Sequence, residues 1–253
     1  MTAMLGMYDM PALRPVNDRF WSLIRAHLGE GPGQLTRDRD FWEIWQDPDL
    51  VFAQTCGMPY RTRLHGKVHL VGTPDYGLPR CPPGYYCSVF VARADDARGL
   101  PELATGVFAY NEALSQSGWS APITHLSELG LAPARLLETG GHALSAQAVA
   151  EGHADFAALD ALTWVLLQEH TDLGRRLRPV ATTRPTPALP YITAITRDPA
   201  PVAAAVRAAI ADLSPADRAA LHIRGLIDIA PDLYLAVPNP PPPEAAVPES
   251  WPN

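Results

Sequence analysis

The clearest pattern of apolar and polar positions lies between Arg135 and Trp164. Arg135 to Thr139 carries Leu136 and Leu137 and stops at Gly140 and Gly141. His142 to Glu151 repeats Leu144, Ala148 and Val149 at helical spacing and stops at Gly152. Asp155 to Leu159 is short and mostly apolar, as a strand covered on both faces should be. Ala161 to His170 is helical again, with Leu162, Val165, Leu166 and Glu169 in phase. The pattern predicts strand, glycine turn, helix, strand, helix.

The same alternation runs along the chain. Strands are predicted at Met4 to Tyr8, Leu50 to Gln54, Val68 to Gly72, Tyr85 to Ala92, Gly106 to Tyr110, Leu177 to Thr182 and Tyr191 to Ile195. Helices are predicted from Pro15 to about Leu28, over the aromatic stretch Asp40 to Gln46, from the serine cluster at 115–120 to about Leu129, and from Asp198 onward. Ser214-Pro215-Ala216-Asp217 reads as a capped start to a further short helix. Leu233 to Val237 reads as a last strand or an irregular packing segment. Residues 238–253 are proline-rich and read as extended or disordered. Alternating strands and helices predict an α/β fold with parallel sheets. The long strands near 85–92 and 183–195 suit two crossings between lobes. That places residues 1–91 with 185–238 in lobe 1, 92–184 in lobe 2, and 239–253 in a tail.

Composition narrows the function. A net charge of −7 over 253 residues argues against nucleic acid, which needs a basic face. No apolar run is long enough to span a bilayer, which argues against membrane insertion. The first residues, MTAMLGMYDMPALR, carry neither a basic region nor a sustained apolar stretch and do not read as a secretory signal. Cys56, Cys81 and Cys87 show no metal-type spacing; buried thiols fit them, as does a Cys56–Cys81 bridge in an oxidising compartment. The scattered histidines argue against a metal site. The nucleotide-binding glycine motifs and the G-x-S-x-G nucleophile turn are absent, so no cofactor is expected.

Chemistry concentrates where strands end. Gly140-Gly141-His142 puts free backbone N–H groups at a helix start, a ready anion site. Ser115-Gln116-Ser117-Gly118 does the same with two hydroxyls, although a serine N-cap would need only one. Asp160 ends a strand at the edge where open α/β sheets bind ligands; it suits capping the next helix, ligand contact, or both. Tyr8, Thr55, Tyr76 and Ser88 mark other strand ends. Most of these groups are neutral donors, and none is a lysine or arginine. Such a set can hold a small oxyanion, with one carboxylate accepting from a protonated oxygen and repelling a fully ionised competitor.

The motifs MYDMP, QTCGMP (54–59), GTPDYG (72–77), YYCS (85–88), SQSG (115–118), TGGHALSAQAV (139–149), EGHADFAALDALTW (151–164) and LPYITA (189–194), taken in order, resemble the phosphate, phosphite and phosphonate substrate-binding proteins of ABC transporters. The resemblance spans roughly residues 4–225. It implies a two-lobed type 2 periplasmic-binding fold with a hinge of crossing strands, and two lobes closing on a small oxyanion. It implies Tyr76, Ser115, Gln116, Ser117 and His142 as ligand donors and Asp160 as acceptor, with Tyr8, Thr55, Tyr60, Tyr86 and Ser88 as second choices. It also implies a transporter permease as partner, a periplasmic location, and no enzymatic activity. In this sequence Cys87 stands where the family often has arginine. The same fold also carries cytosolic enzymes, one resembling chorismate dehydratase, and could serve a ligand sensor; both remain alternatives at this point.

Overall fold

A computed structural model describes residues 1–246. They divide between two compact units: residues 1–85 with 187–236, and residues 86–186 with 237 onward. The strand at 88–93 lies in the second unit.

The chain opens with β1 (Thr2–Met4), which stops before the predicted Tyr8 because Gly6–Tyr8 turns as a single 3-10 turn. α1 (Arg14–Leu28) has Pro15 in its first turn and ends at Gly29 in the left-handed conformation. α2 (Phe41–Trp45) starts at Asp40, whose carboxylate accepts from the N–H groups of Trp42 and Glu43. β2 (Leu50–Gln54), α3 (Gly57–Pro59), a wide π-type turn (Tyr60–Leu64) and β3 (Val68–Asp75) follow. The predicted 85–92 strand is interrupted at Cys87, giving β4 (Tyr85–Tyr86) and β5 (Ser88–Arg93). Next come α4 (Leu100–Leu103), β6 (Val107–Tyr110), a π-type turn (Gln116–Ser120) running into α5 (Ala121–Glu128), β7 (Arg135–Glu138), α6 (His142–Ala150), β8 (Phe156–Asp160) and α7 (Ala161–His170). The chain continues through α8 (Leu173–Arg176), β9 (Leu177–Thr182), β10 (Thr186–Pro187), β11 (Tyr191–Ala194), α9 (Pro199–Asp212), α10 (Pro215–Ala220), β12 (Gly225–Ile227), α11 (Pro231–Leu235) and α12 (Pro243–Ala246). β4 and β10 form a two-stranded sheet of their own.

The first unit holds the sheet β1-β2-β11-β3-β12. β1 and β2 are parallel, whereas β11 and β12 run against their neighbours. β3 continues past the predicted Gly72 because β12 pairs with its residues Thr73 to Asp75. One face carries α1 and α9, where Phe20, Trp21 and Ile24 meet Val202, Val206 and Ile210. The other carries Ile44, Trp45, Tyr60 and Tyr234. Covered on both sides, β2 is buried at every residue.

The second unit holds β7-β6-β8-β5-β9. β6, β7 and β8 are parallel; β5 is antiparallel to β8 and β9. Both large sheets are thus mixed, a correction to the parallel sheets predicted from alternation. The core gathers Phe90, Phe108, Tyr110, Trp119, Ile123 and Phe156.

Two further expectations change. Leu233 to Val237 is no strand: Pro231 opens α11, and Tyr234 is buried, donating its hydroxyl to Ala188 O at 2.9 Å. The proline-rich tail, as far as Ala246, packs on the second unit, with Pro243 buried and Trp119 Nε1 donating to Pro241 O at 3.1 Å. The remainder of the predicted tail lies outside the described residues. Cys56, Cys81 and Cys87 are not joined in disulfides. Among the described residues, no helix is long and apolar enough to cross a membrane.

Candidate functional site

In the second unit, the carboxyl ends of β6, β7 and β8 and the amino end of the reversed β5 lie along one sheet edge, as their pairing requires. Each ends in a polar junction. After β6 the chain turns through Asn111 to Ser115, whose Oγ accepts from the N–H of Gly118 at 3.0 Å. Ser115 is therefore the helix cap, and its backbone oxygen takes the N–H groups of Trp119 and Ser120. Gln116 Nε2 reaches Thr186 Oγ1 only at 3.5 Å, the outer limit of a hydrogen bond.

After β7, Gly140 adopts a positive φ of 84°, which lets the chain reverse directly into α6. Gly140 N–H binds Asn111 O at 2.8 Å, tying this turn to the one after β6. His142 begins α6, and its Nε2 lies 2.9 Å from Ser117 Oγ. Two helix starts are thus joined through side chains that stand 25 residues apart in sequence. Burial pushes the His142 pKa down to about 4, against a smaller opposing pull from the Ala158 backbone. The imidazole is therefore neutral at neutral pH. The His142 ring thus adds no positive charge to this edge, where backbone N–H groups present the positive ends of peptide dipoles.

β8 ends at Asp160, 1% exposed, whose Oδ1 accepts from Leu162 N at 2.8 Å and Thr163 N at 3.0 Å. The capping role is thus shown. Ser88 stands opposite Asp160 in the β5–β8 register. Its backbone N–H binds Thr183 Oγ1, while its own Oγ is buried without a hydrogen-bond partner. Tyr86 is buried two residues before it, and Cys87 O between them accepts from Ala161 N at 3.0 Å.

The first unit has a comparable edge. Tyr8, in the turn after β1, meets Tyr76, which follows β3, edge to face at 5.5 Å. Gln54, the last residue of β2, donates to Tyr76 Oη at 2.9 Å and to Leu189 O at 3.1 Å. Thr55 Oγ1 is buried and unpartnered. Burial raises the Tyr191 phenol, and its hydrogen bond with Tyr76 offsets this in part. Tyr60 does not join the edge. Its ring packs in the core with Leu64 and edge to face on Tyr234.

Two residues of the second edge were not singled out from the sequence. Asn111 ends β6 as Asp160 ends β8, and that position was the available signal; its Oδ1 is buried and unpartnered. Thr183 follows β9 and has no local signature. Among the described residues, no group of three or more His, Cys, Asp or Glu could hold a metal.

The fold is similar to that of type 2 periplasmic-binding proteins. Solved structures agree in fold. XAC2383 from Xanthomonas citri, bound to ATP in one structure and to chloride in another, has a TM-score of 0.66 in its chloride form at 19% identity, covering 93% of this chain and 96% of that one. PhnD1 from Prochlorococcus marinus, in complex with methylphosphonate, has a TM-score of 0.66 at 14% identity, covering 92% and 94%. A binding-protein component of an ABC phosphonate transporter from Pseudomonas aeruginosa has a TM-score of 0.67 at 14% identity, covering 92% and 83%. No curated protein matches the sequence. Residues 49–232 match the family described as ABC transporter, phosphonate, periplasmic substrate-binding protein, and the chain belongs to that family. Its members are solute-binding proteins and not enzymes, so the dehydratase alternative is set aside.

Proposed function

We propose that this solute-binding protein captures a small phosphorus oxyanion, phosphate, phosphite or a phosphonate, and delivers it to an ABC transporter permease. The observation that carries this reading is the second-unit edge: two helix starts joined by Ser117 and His142, beside a buried, unpartnered Ser88 hydroxyl facing Asp160. Buried polar groups ordinarily have partners, so an orphan hydroxyl at a strand end is a place for a ligand atom. The N–H groups of Gln116 and Ser117 and those at the start of α6 supply positive ends of peptide dipoles. Asp160 accepts from a protonated ligand oxygen. Tyr76, Tyr8 and Thr55 are proposed as further donors.

Isothermal titration against phosphate, phosphite, methylphosphonate and sulfate tests this. Phosphorus oxyanions, which keep a proton near neutrality, are expected to bind, and fully ionised sulfate to bind far more weakly. Equal affinity for sulfate, or no binding to any of the four, overturns the reading. Ser117→Ala and His142→Ala are each expected to weaken binding by about 1–3 kcal/mol, the scale for leaving a buried partner unsatisfied. Unchanged affinity in both variants would move the ligand elsewhere.

A further inference from the structure

The helix that begins at Ser115 is held from outside by the tail. Trp119, fully buried, donates its indole N–H to Pro241 O, and Ser120 Oγ donates to Pro238 O at 3.2 Å. Both donors lie in the π-type turn Gln116–Ser120, within three residues of Ser117. Beyond them, Pro243 is buried, and Ala246 packs against the core cluster that contains Trp119 and Ile123. A pocket of ≈ 380 Å³ is lined by Ile123 and Leu126 of α5 together with Pro240, Pro241 and Ala246 of the tail. The segment is thus fastened at Pro238 and Pro241 and again at Pro243 and Ala246. Its acidic residue Glu244 lies close enough to add to the upward shift of the Tyr110 phenol, at the end of β6.

Proline chemistry suits the task. Pro238 and Pro240 to Pro243 have restricted backbones, so docking costs them little conformational entropy. The carbonyls of Pro238 and Pro241 take donors from outside the segment, whereas that of Pro242 accepts from Ala245 N–H in the short turn of α12. The buried Trp119 N–H, in turn, would lack a protein acceptor without Pro241. The π-type turn is closed by i→i+5 bonds, a rare arrangement often found at functional sites.

We propose that residues 237–246 are a positioning strap for the anion-binding helix start, so that ligand affinity depends on a segment that does not touch the ligand. This rests on the oxyanion reading of that helix start. The test compares the full chain with a chain ending at Ala236 and with Trp119→Phe, which keeps an aromatic ring and removes the donor. Hydrogen exchange read by mass spectrometry follows the amides of 116–120, with those of 156–160 as an internal control. Calorimetric titration with inorganic phosphate and with methylphosphonate follows affinity.

In both variants, exchange at 116–120 should accelerate and affinity should fall about tenfold, the effect of losing one buried hydrogen bond. Exchange at 156–160 should stay at the full-chain rate. A synthetic peptide of residues 237–246 should slow exchange again in the shortened chain. Unchanged exchange at 116–120, or equal acceleration at 156–160, overturns the strap. If the full chain binds neither anion, the oxyanion reading fails, and the exchange arm still decides whether the strap holds the helix start.

Discussion

Gly118→Ala is expected to destabilise the second unit by about 1–3 kcal/mol, the range for overpacking a filled site, and to abolish measurable oxyanion binding. A Cβ at this position would stand 1.8 Å from Asn111 Oδ1, 2.8 Å from its Cγ and 3.2 Å from His142 Cε1. Asn111 is a short side chain whose backbone oxygen is held by Gly140 N–H, so it has little room to withdraw. Relief must come from moving the helix start or His142, and both carry proposed donors. The double variant Asn111→Ala with Gly118→Ala removes the obstructing amide. It should recover most of the stability, a coupling of about 1–3 kcal/mol between neighbours. Urea unfolding of the two single variants and the double variant measures this. Additive losses would show that the glycine is there for another reason.

His142→Gln is expected to flatten the acid side of the stability profile. The folded-state pKa of His142 is about 4, below the ordinary value of 6.5 in the unfolded chain. Between these values the unfolded chain binds the extra proton and the folded one does not, so unfolding becomes easier as pH falls. The contribution is complete above about pH 6.5 and is lost progressively down to about pH 4. At about 1.36 kcal/mol per pKa unit it amounts to roughly 3 kcal/mol. Glutamine keeps a polar atom within reach of Ser117 and does not titrate. Asp47 and Asp96, held at about 2 by the Thr2 hydroxyl and by Arg98 respectively, contribute to both proteins alike and cancel. Unfolding free energies from ligand-free protein near pH 7 and near pH 4.5 should therefore fall less in the variant, by about 2–3 kcal/mol. Equal falls would mean that the imidazole is not shielded from water.

Ligand affinity should be insensitive to His142 titration from about pH 5 to 8, because the ring stays neutral throughout. Any pH dependence in that range belongs to the ligand's own proton. This separates the proposed mechanism from one that relies on an imidazolium as the anion's counter-charge.

Local rules were readable where cause and effect lie within a few residues. Asp40, Asp160, Asp198 and Ser214 each cap the helix that follows, as carboxylates and hydroxyls before apolar periodic segments should. Ala161–His170 forms as its spacing predicts. The strand-end positions of Ser117, His142 and Asp160 were also legible, because a strand that stops at glycine, serine or aspartate exposes backbone groups that something must satisfy.

By itself, the sequence determined most of the elements, the helix caps, the clustering of neutral donors at strand ends, and the family. Tertiary structure alone decided the rest. Strand direction is invisible to a two-residue period, so the reversal of β5 and β11 emerges only from pairing. The seating of Asn111 in the space left by Gly118, and the union of Ser117 with His142, depend on β6 and β7 lying side by side. The tail shows the same limit most plainly. Proline-rich composition reports only that a segment forms no ladder of its own, and whether it docks depends on donors such as Trp119, far away in the chain, that are buried and need an acceptor.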